Sequence, residues 1–243
     1  MPKLIWDAIG TREYETGTSK GVLFLQKPDG TYDKGVAWSG LTAVKQSPDG
    51  AEDTAIYADN IKYLSMQSAE NLKGTVEAYT YPDEFAECDG SAEILLASGV
   101  YAAQQARKPF GLVYSTIIGN DTLGNDYGEK LHIVYNAKVS PSERSYETVN
   151  DSPAAITFSW GFSTTPVSVE GIPALKRPTS YITVDSTKVN LAKFNAIKDL
   201  VYGTVALESK MPSLAELLAI VTAPNPVTTT TTTTVPTTTT TSV

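Results

Sequence analysis

The chain is poor in cysteine and histidine, the residues on which thiol redox chemistry and many metal sites draw. Of its 243 residues one is cysteine, Cys88, and one is histidine, His132. A disulfide within the chain is therefore excluded, as are zinc sites built from cysteine sets or histidine pairs. Long apolar runs are also missing. The longest late one, Leu217-Leu218-Ala219-Ile220-Val221, falls far short of the ~18 residues that span a bilayer. The opening Met1-Pro2-Lys3-Leu4-Ile5-Trp6-Asp7 has neither the basic region nor the apolar core of a secretion signal, so the expectation is a soluble protein made in the cytoplasm, without a membrane partner. Positive charge is scarce as well. Nineteen Lys and Arg against 27 Asp and Glu leave a net charge of −8. Tight nucleic-acid binding rests on neutralising phosphates with Lys and Arg, so DNA is disfavoured as a bound ligand. An acidic surface is still compatible with DNA that passes without binding.

Strand signals fill the chain as far as about Val184. Ala155 to Thr164 alternates strictly, with Ile156, Phe158, Trp160 and Phe162 on one face and small or polar residues on the other, the period of a half-buried strand. Leu131 to Val139 repeats this, with Leu131, Ile133, Tyr135, Ala137 and Val139 on one face. Thr75 to Tyr81 and Phe110 to Ile118 alternate likewise, and Val22–Gln26, Tyr32–Trp38, Ile61–Met66 and Tyr181–Val184 are shorter candidates. Turn residues punctuate them at Pro28-Asp29-Gly30, Gly119-Asn120-Asp121 and Asn150-Asp151-Ser152-Pro153. Many strands with few intervening helices predict a mainly β fold, an antiparallel sandwich or barrel.

Two helices are expected late, flanking this β-domain. The first, about 190–203, opens on Asn190 as N-cap, repeats Leu191, Phe194, Ile197, Leu200 and Val201 at helical spacing, and stops at Gly203. The second, about 213–221, opens on a Ser213–Glu216 capping box. Ala92 to Lys108 has a helical composition, but Gly99 interrupts it and Pro109 ends it, so its type stays open. Gly40 to Asn60 reads as a long loop around the turn signal Ser47-Pro48-Asp49-Gly50, and loops of that length are usually functional or disordered. From Pro224 to Val243 the chain is nearly all Thr and Pro, which cannot build a core. The expected organisation is a β-domain over 1–223 and an extended, solvated tail over 224–243.

No constellation announces catalysis. Asp83, Glu84, Glu87 and Asp89 crowd one short segment after Pro82, which fits a helical turn with acids at its start better than a glycosidase pair or a calcium site. Gly119-Asn120-Asp121-Thr122-Leu123-Gly124-Asn125-Asp126 echoes calcium-binding repeats but lies between two strong strands, so a hairpin loop accounts for it. His132 sits on the strand face opposite Leu131 and Ile133 with no nucleophile motif to serve. Phosphate-loop and dinucleotide glycine patterns are absent. The sequence predicts no enzyme and no cofactor.

The segments Trp38-Ser39-Gly40-Leu41-Thr42, Tyr57-Ala58-Asp59-Asn60-Ile61-Lys62-Tyr63 and Glu77-Ala78-Tyr79-Thr80-Tyr81-Pro82-Asp83-Glu84-Phe85 carry a resemblance. Arg107-Lys108-Pro109-Phe110-Gly111, Ser140-Pro141-Ser142-Glu143-Arg144-Ser145-Tyr146, and Asn150-Asp151-Ser152-Pro153 leading into Ile156-Thr157-Phe158-Ser159-Trp160 extend it. In order and spacing, from about Val22 to Val221, these resemble the major tail (tail tube) proteins of bacteriophages with long, non-contractile tails. The resemblance implies a structural virion protein, a β-sandwich or barrel with a flanking helix. It would assemble as a homo-hexamer, its rings stacking into a tube that conducts DNA during ejection into the host. It also implies a tape measure protein, a tail terminator and distal tail proteins as partners, and DNA that transits the lumen without specific binding. Within it, the long segment over 40–60 would reach the next ring. The contact candidates are then Trp38, Leu41, Lys45, Ser47, Pro48, Asp49, Gly50, Asp59, Asn60, Arg107 and Lys108. Lys34 and Lys62 join Lys45, Arg107 and Lys108 as cations able to bridge acidic rings. The alternative reading is a carbohydrate-binding or adhesin β-sandwich preceding a Thr/Pro linker, which would call for aromatics exposed in a row.

Overall fold

The computed structural model describes residues 3–95, 99–146, 148, 155–169, 172, 175 and 177–225. The expected turn over 150–153 and the Thr/Pro tail beyond Asn225 lie outside the described residues. The protein is mainly β, with antiparallel pairing throughout its named strands and helices concentrated late. The strands are β1 (Glu13–Leu25), β2 (Val36–Trp38), β3 (Leu41–Gly50), β4 (Asp53–Ala58), β5 (Ile61–Gln67), β6 (Glu70–Ala78), β7 (Ala92–Glu93), β8 (Tyr101–Ala102), β9 (Phe110–Asn120), β10 (Gly124–Val139), β11 (Phe158–Thr164) and β12 (Tyr181–Asp185). A 3-10 turn (Asp83–Phe85) leads into α1 (Ala86–Asp89), and α2 (Leu191–Tyr202) and α3 (Leu214–Thr222) follow β12.

The main sheet runs β2-β1-β9-β10-β11-β6-β3, with β12 also paired to β10. Its two edges, β2 and β3, are joined by only Ser39 and Gly40. Three Cα steps cover at most about 11 Å, so the sheet must curl until its edges nearly meet. That curl creates an interior. Leu23, Phe110, Leu112, Tyr114, Val134, Val76, Trp160 and Phe162 fill it. The short α1 turn plugs it: Phe85 packs 4.5 Å from Trp38, 5.1 Å from Trp160 and 5.6 Å from Phe110, centroid to centroid. The acidic segment is therefore helical as expected, yet Phe85 and Cys88 are fully buried; Asp83, Glu84 and Glu87 are exposed, whereas Asp89 pairs with Arg144. Burial also pushes the Cys88 thiol up to about 12, which leaves it unreactive.

The outer face of the same strands forms a second core. Val22, Phe24, Val113, Leu131, Ile133 and Tyr135 meet Phe194, Ile197 and Val201 of α2 and Leu217 of α3. Asn190 accepts the Ala192 amide at 3.0 Å to start α2, and Ser213 and Glu216 form the reciprocal capping box of α3. The two late helices thus form for the reasons the sequence gives, and they cover a sheet already buried on its other side. β9 and the middle of β10 are near-continuously buried, where alternation predicted one wet face.

A bulge explains the largest error in face assignment. Leu131, Ile133 and Tyr135 point to the helix side, but Ala137 and Val139 belong to the interior. The β9–β10 register slips between Val134 and Ala137, and Asn136 adopts φ +48. One extra residue inverts every face beyond it. The strained residue is held from several sides: Gln26 and Tyr32 donate to its side-chain oxygen at 2.6 and 2.8 Å, and its amide donates to the Tyr32 hydroxyl at 3.0 Å. Tyr32 itself lies before β2, not inside a strand reaching back to it, and pairs with Gln26 by an isolated bridge. The ambiguous stretch after Ala92 is not helical where described; it holds the small β7–β8 hairpin.

The segment over 40–60 is not a loop. Leu41 to Gly50 is the edge strand β3, and Asp53 to Ala58 is β4. Pro48 is tolerated because β3 is an edge, where no outer neighbour needs its missing amide. The turn lies at Asp59 and Asn60, with φ +52 and +65, the pair of positive values that a two-residue hairpin of matching twist requires.

Candidate assembly surface

β3 and β6 form a ladder that continues into the β4–β5 hairpin, making one two-stranded ribbon. The registers run from Leu41↔Ala78 to Gly50↔Glu70, then from Asp53↔Gln67 to Ala58↔Ile61. Between them the Ser68 amide donates to the Glu52 carbonyl at 3.0 Å, and the Glu52 amide to the Ser68 hydroxyl at 3.0 Å. The kink sits at Gly50 and Ala51, with φ +94 and +56. A Cβ on Gly50 would come 2.3 Å from the Ala69 carbonyl oxygen, so only glycine fits. β11 covers β6 no further out than Lys73. The six-residue β4 then carries the ribbon about 20 Å with strands on neither side.

This outer ribbon is exposed on both faces. Every residue of β5 and all but Ala55 of β4 are exposed, although Ile56, Tyr57, Ile61, Tyr63, Leu64 and Met66 are large and apolar. Tyr57 is 70% exposed and Tyr63 67%. Ile56 faces Leu64 across the strands. An isolated two-stranded hairpin is marginal in water, and apolar side chains exposed together on a projecting element make it a candidate contact surface.

The contact candidates separate into two groups. Lys45, Ser47, Pro48, Asp49, Gly50, Asp59 and Asn60 lie exposed along the ribbon. Trp38 does not belong with them: it is 2% exposed, stacks edge-on at 5.8 Å from Trp160, and donates its indole N–H to the Thr80 carbonyl at 2.9 Å. Leu41 is half-buried against the same core. Both are inside because the chain crosses from one sheet edge to the other there. Arg107 is also half-buried, lying against Gly90, and its Nε has no hydrogen-bond acceptor among the described residues. Lys108 pairs with Glu87.

Two of the other cations offered as bridges, Lys45 and Lys62, already have partners in this chain, as does Lys73 on the same ribbon, while Lys34 is exposed. Lys45 meets Glu77 at 2.6 Å and Lys62 meets Asp53 at 3.4 Å, while Lys73 meets Asp49 at 2.8 Å. A bridge between copies through Lys45 or Lys62 would have to share or exchange these carboxylates.

What residue-by-residue reading missed is the apolar character of the ribbon. The available signal was Ile56-Tyr57 and Ile61 to Met66 flanking Asp59-Asn60, a hairpin with apolar residues at both parities. The exposed Leu4, Ile5, Trp6 and Ile9 were equally overlooked.

A polar cluster closes one end of the interior. His132 stacks on Tyr114 with ring centroids 4.6 Å apart, its Nε2 lies 2.8 Å from the Thr116 hydroxyl, and its Nδ1 contacts the Tyr181 hydroxyl. Gln46 donates to the Tyr114 hydroxyl at 2.6 Å. Burial would raise the Glu15 carboxyl, but hydrogen bonds from Lys130 and Thr116 and the Lys130 charge outweigh it and hold it below the usual range. His132 is lowered by burial despite the pull of Glu15. Its 3.3 Å contact with Glu15 is thus a contact of a neutral ring at neutral pH. The cluster satisfies buried polar groups. Among the described residues no group of three or more His, Cys, Asp and Glu is placed to hold a metal, and no helix is long and apolar enough to cross a membrane.

Comparison with known proteins gives no match to a family model and none among curated proteins.

Proposed function

We propose that this protein is a structural virion subunit, a major tail tube protein of a long, non-contractile phage tail. In this reading homo-hexameric rings stack into a tube whose lumen conducts DNA into the host without specific binding. The observation that carries the proposal is the ribbon: a stable, doubly packed β-domain extends an apolar two-stranded arm that it does not itself cover. Within a ring assembly the arm would cover an adjacent ring. A head-to-tail contact of that kind propagates into an open filament. The domain's fold, a curled antiparallel sheet with helices on its outer face, suits the same reading, and its net charge of −8 suits a conduit that must not retain DNA. A tape measure protein, a tail terminator and distal tail proteins would complete the tail.

The aromatic residues of β11 do not support the glycan-binding alternative. Trp160 and Phe162 are buried and Phe158 packs half-buried against them, so the aromatic row of β11 is core. The test is negative-stain imaging of purified protein at high concentration, alone and with the other tail components. Rings or tubes support the proposal. Uniform monomers under every condition refute it.

A further inference from the structure

Each hydroxyl in the polar cluster around His132 has a single proton to donate, and counting those protons fixes the direction of every bond. The Thr116 hydroxyl donates to Glu15 Oε1 at 2.7 Å, so toward His132 Nε2, 2.8 Å away, it can only accept. Nε2 therefore carries the ring proton, and the bare Nδ1 accepts from the Tyr181 hydroxyl. With that proton committed, the hydrogen bond between the two tyrosines uses the proton of Tyr114. The Tyr114 oxygen accepts in turn from Gln46 Nε2 at 2.6 Å, and the same amide reaches the Tyr181 hydroxyl. The bonds thus form a relay that points one way, from Gln46 through Tyr114, Tyr181, His132 and Thr116 to Glu15, whose other oxygen is held by Lys130.

The two ends of this relay lie on strands that do not pair. Glu15 is on β1 and Gln46 on β3, whose one partner in the sheet is β6. The relay therefore crosses the interior to the strand that runs on into the ribbon, and reaches it four positions before the Gly50 kink. Among the described residues, the titratable groups facing His132 are Glu15 from β1, Tyr114 from β9, Lys130 from its own strand and Tyr181 from β12. Asp185 of β12 acts on Lys130 behind them, and β3 contributes the neutral Gln46. Burial and Lys130 oppose a charge on the ring while Glu15 favours it, and burial prevails.

We infer that the cluster is a proton-driven switch: a proton added at His132 Nδ1 reverses the relay as far as β3 and turns over the side-chain amide of Gln46. A protonated Nδ1 can only donate, so the Tyr181 hydroxyl must send its own proton the other way, to Tyr114 or to Gln46. Where Tyr114 receives it, the Tyr114 proton turns toward Gln46 instead. On both routes a hydroxyl now donates to an amide that was itself donating. The amide accepts only by rotating its oxygen into the place of its nitrogen. The bonds to Thr116 and Glu15 keep their direction, because Nε2 stays protonated. Acid is thereby read out on the base strand of the ribbon. The switch goes beyond the tube proposal and does not depend on it.

The test is nuclear magnetic resonance of the full-length protein labelled with nitrogen-15 at histidine and glutamine. His132 is the chain's one histidine, so its two ring nitrogens are assigned at once, and the Gln46 amide is identified by its loss in Gln46→Leu. At mildly alkaline pH, Nε2 should carry the proton and Nδ1 none. As pH falls below 6.5, Nδ1 should take up a proton, and the Gln46 side-chain signals should shift with the same midpoint. Tyr181→Phe keeps the ring and its charge but removes the hydroxyl that reverses, so His132 should still titrate while the Gln46 shift is lost. Circular dichroism should show that variant folded, and the paired titration in the unaltered protein is decisive without it. An Nδ1–H tautomer at alkaline pH, a ring that stays neutral until the protein unfolds, a Gln46 amide that does not follow His132, or one that follows it equally in Tyr181→Phe would each overturn the inference. None of these readings involves assembly, so the switch and the tube stand or fall separately.

Discussion

The inner part of the β1–β9–β10 sheet (21–25, 110–115 and 131–137) and the β4–β5 ribbon share the same antiparallel pairing, yet they sit at opposite ends of burial. In the sheet, alternate side chains enter two different cores, one inside the curl and one beneath the helices. In the ribbon, both faces meet solvent. Strand pairing alone therefore does not mark what holds this protein together. Burial on both sides does, since each large apolar side chain removed from water contributes about 1.5–3 kcal/mol. The ribbon has that potential unused, which is why it reads as an interface and the sheet as a scaffold.

Breaking the scaffold should have the largest effect. Trp160→Ala or Phe194→Ala should cost about 3–5 kcal/mol, seen as a fall in the urea midpoint. Tyr57→Ala on the ribbon should change stability by no more than about 0.5 kcal/mol while impairing assembly. Equal destabilisation by the two would erase the distinction.

Next in size is the kink. Gly50→Val forces a left-handed conformation and a backbone clash at Ala69, with a local cost of about 1–3 kcal/mol. Amide exchange should rise over β4 and β5 while β9 and β10 keep their protection. A uniform rise would mean that the ribbon and the scaffold unfold as one unit.

The polar cluster gives a smaller, pH-dependent effect. His132 titrates below its ordinary 6.5 in the fold because of burial, so the unfolded chain binds its proton first and stability falls as pH drops below about 6.5. Glu15 is depressed below 4.5, so its contribution is intact until lower pH. Between those limits the loss should track His132, and His132→Gln should flatten the thermal melting profile there. An unchanged slope would assign the dependence elsewhere. Smallest of all is Lys45→Ala, which breaks an exposed pair with Glu77 worth about 0–1 kcal/mol; a double-mutant cycle in urea measures it.

How much of this was legible followed from where physics is local. Caps declare themselves in a few residues, so α2 and α3 were readable from Asn190, Gly203, Ser213 and Glu216. Strand periodicity marked β9, β10 and β11, but the bulge at Asn136 is fixed by Gln26 and Tyr32, more than a hundred residues away in sequence, and no window over β10 contains it. Ser47-Pro48-Asp49-Gly50 carries turn chemistry, yet it is an edge strand because β6 supplies the pairing. Trp38 was misassigned for a related reason. Its burial depends on the sheet closing on itself, a property of topology and not of its neighbours. The ribbon's apolar residues were visible throughout; their exposure was not, because exposure depends on what the rest of the fold leaves uncovered.

The central claim is that the ribbon joins copies of this protein into a tube. The direct test replaces Ala51–Ala69 with Asn-Gly, which rejoins β3 to β6 by a two-residue turn and leaves the two cores untouched. The variant and the unaltered chain are then imaged side by side at equal concentration. The account predicts long tubes from the unaltered chain, and folded single rings or monomers from the variant, with an unchanged melting temperature. Tubes of full length from the shortened protein would contradict it.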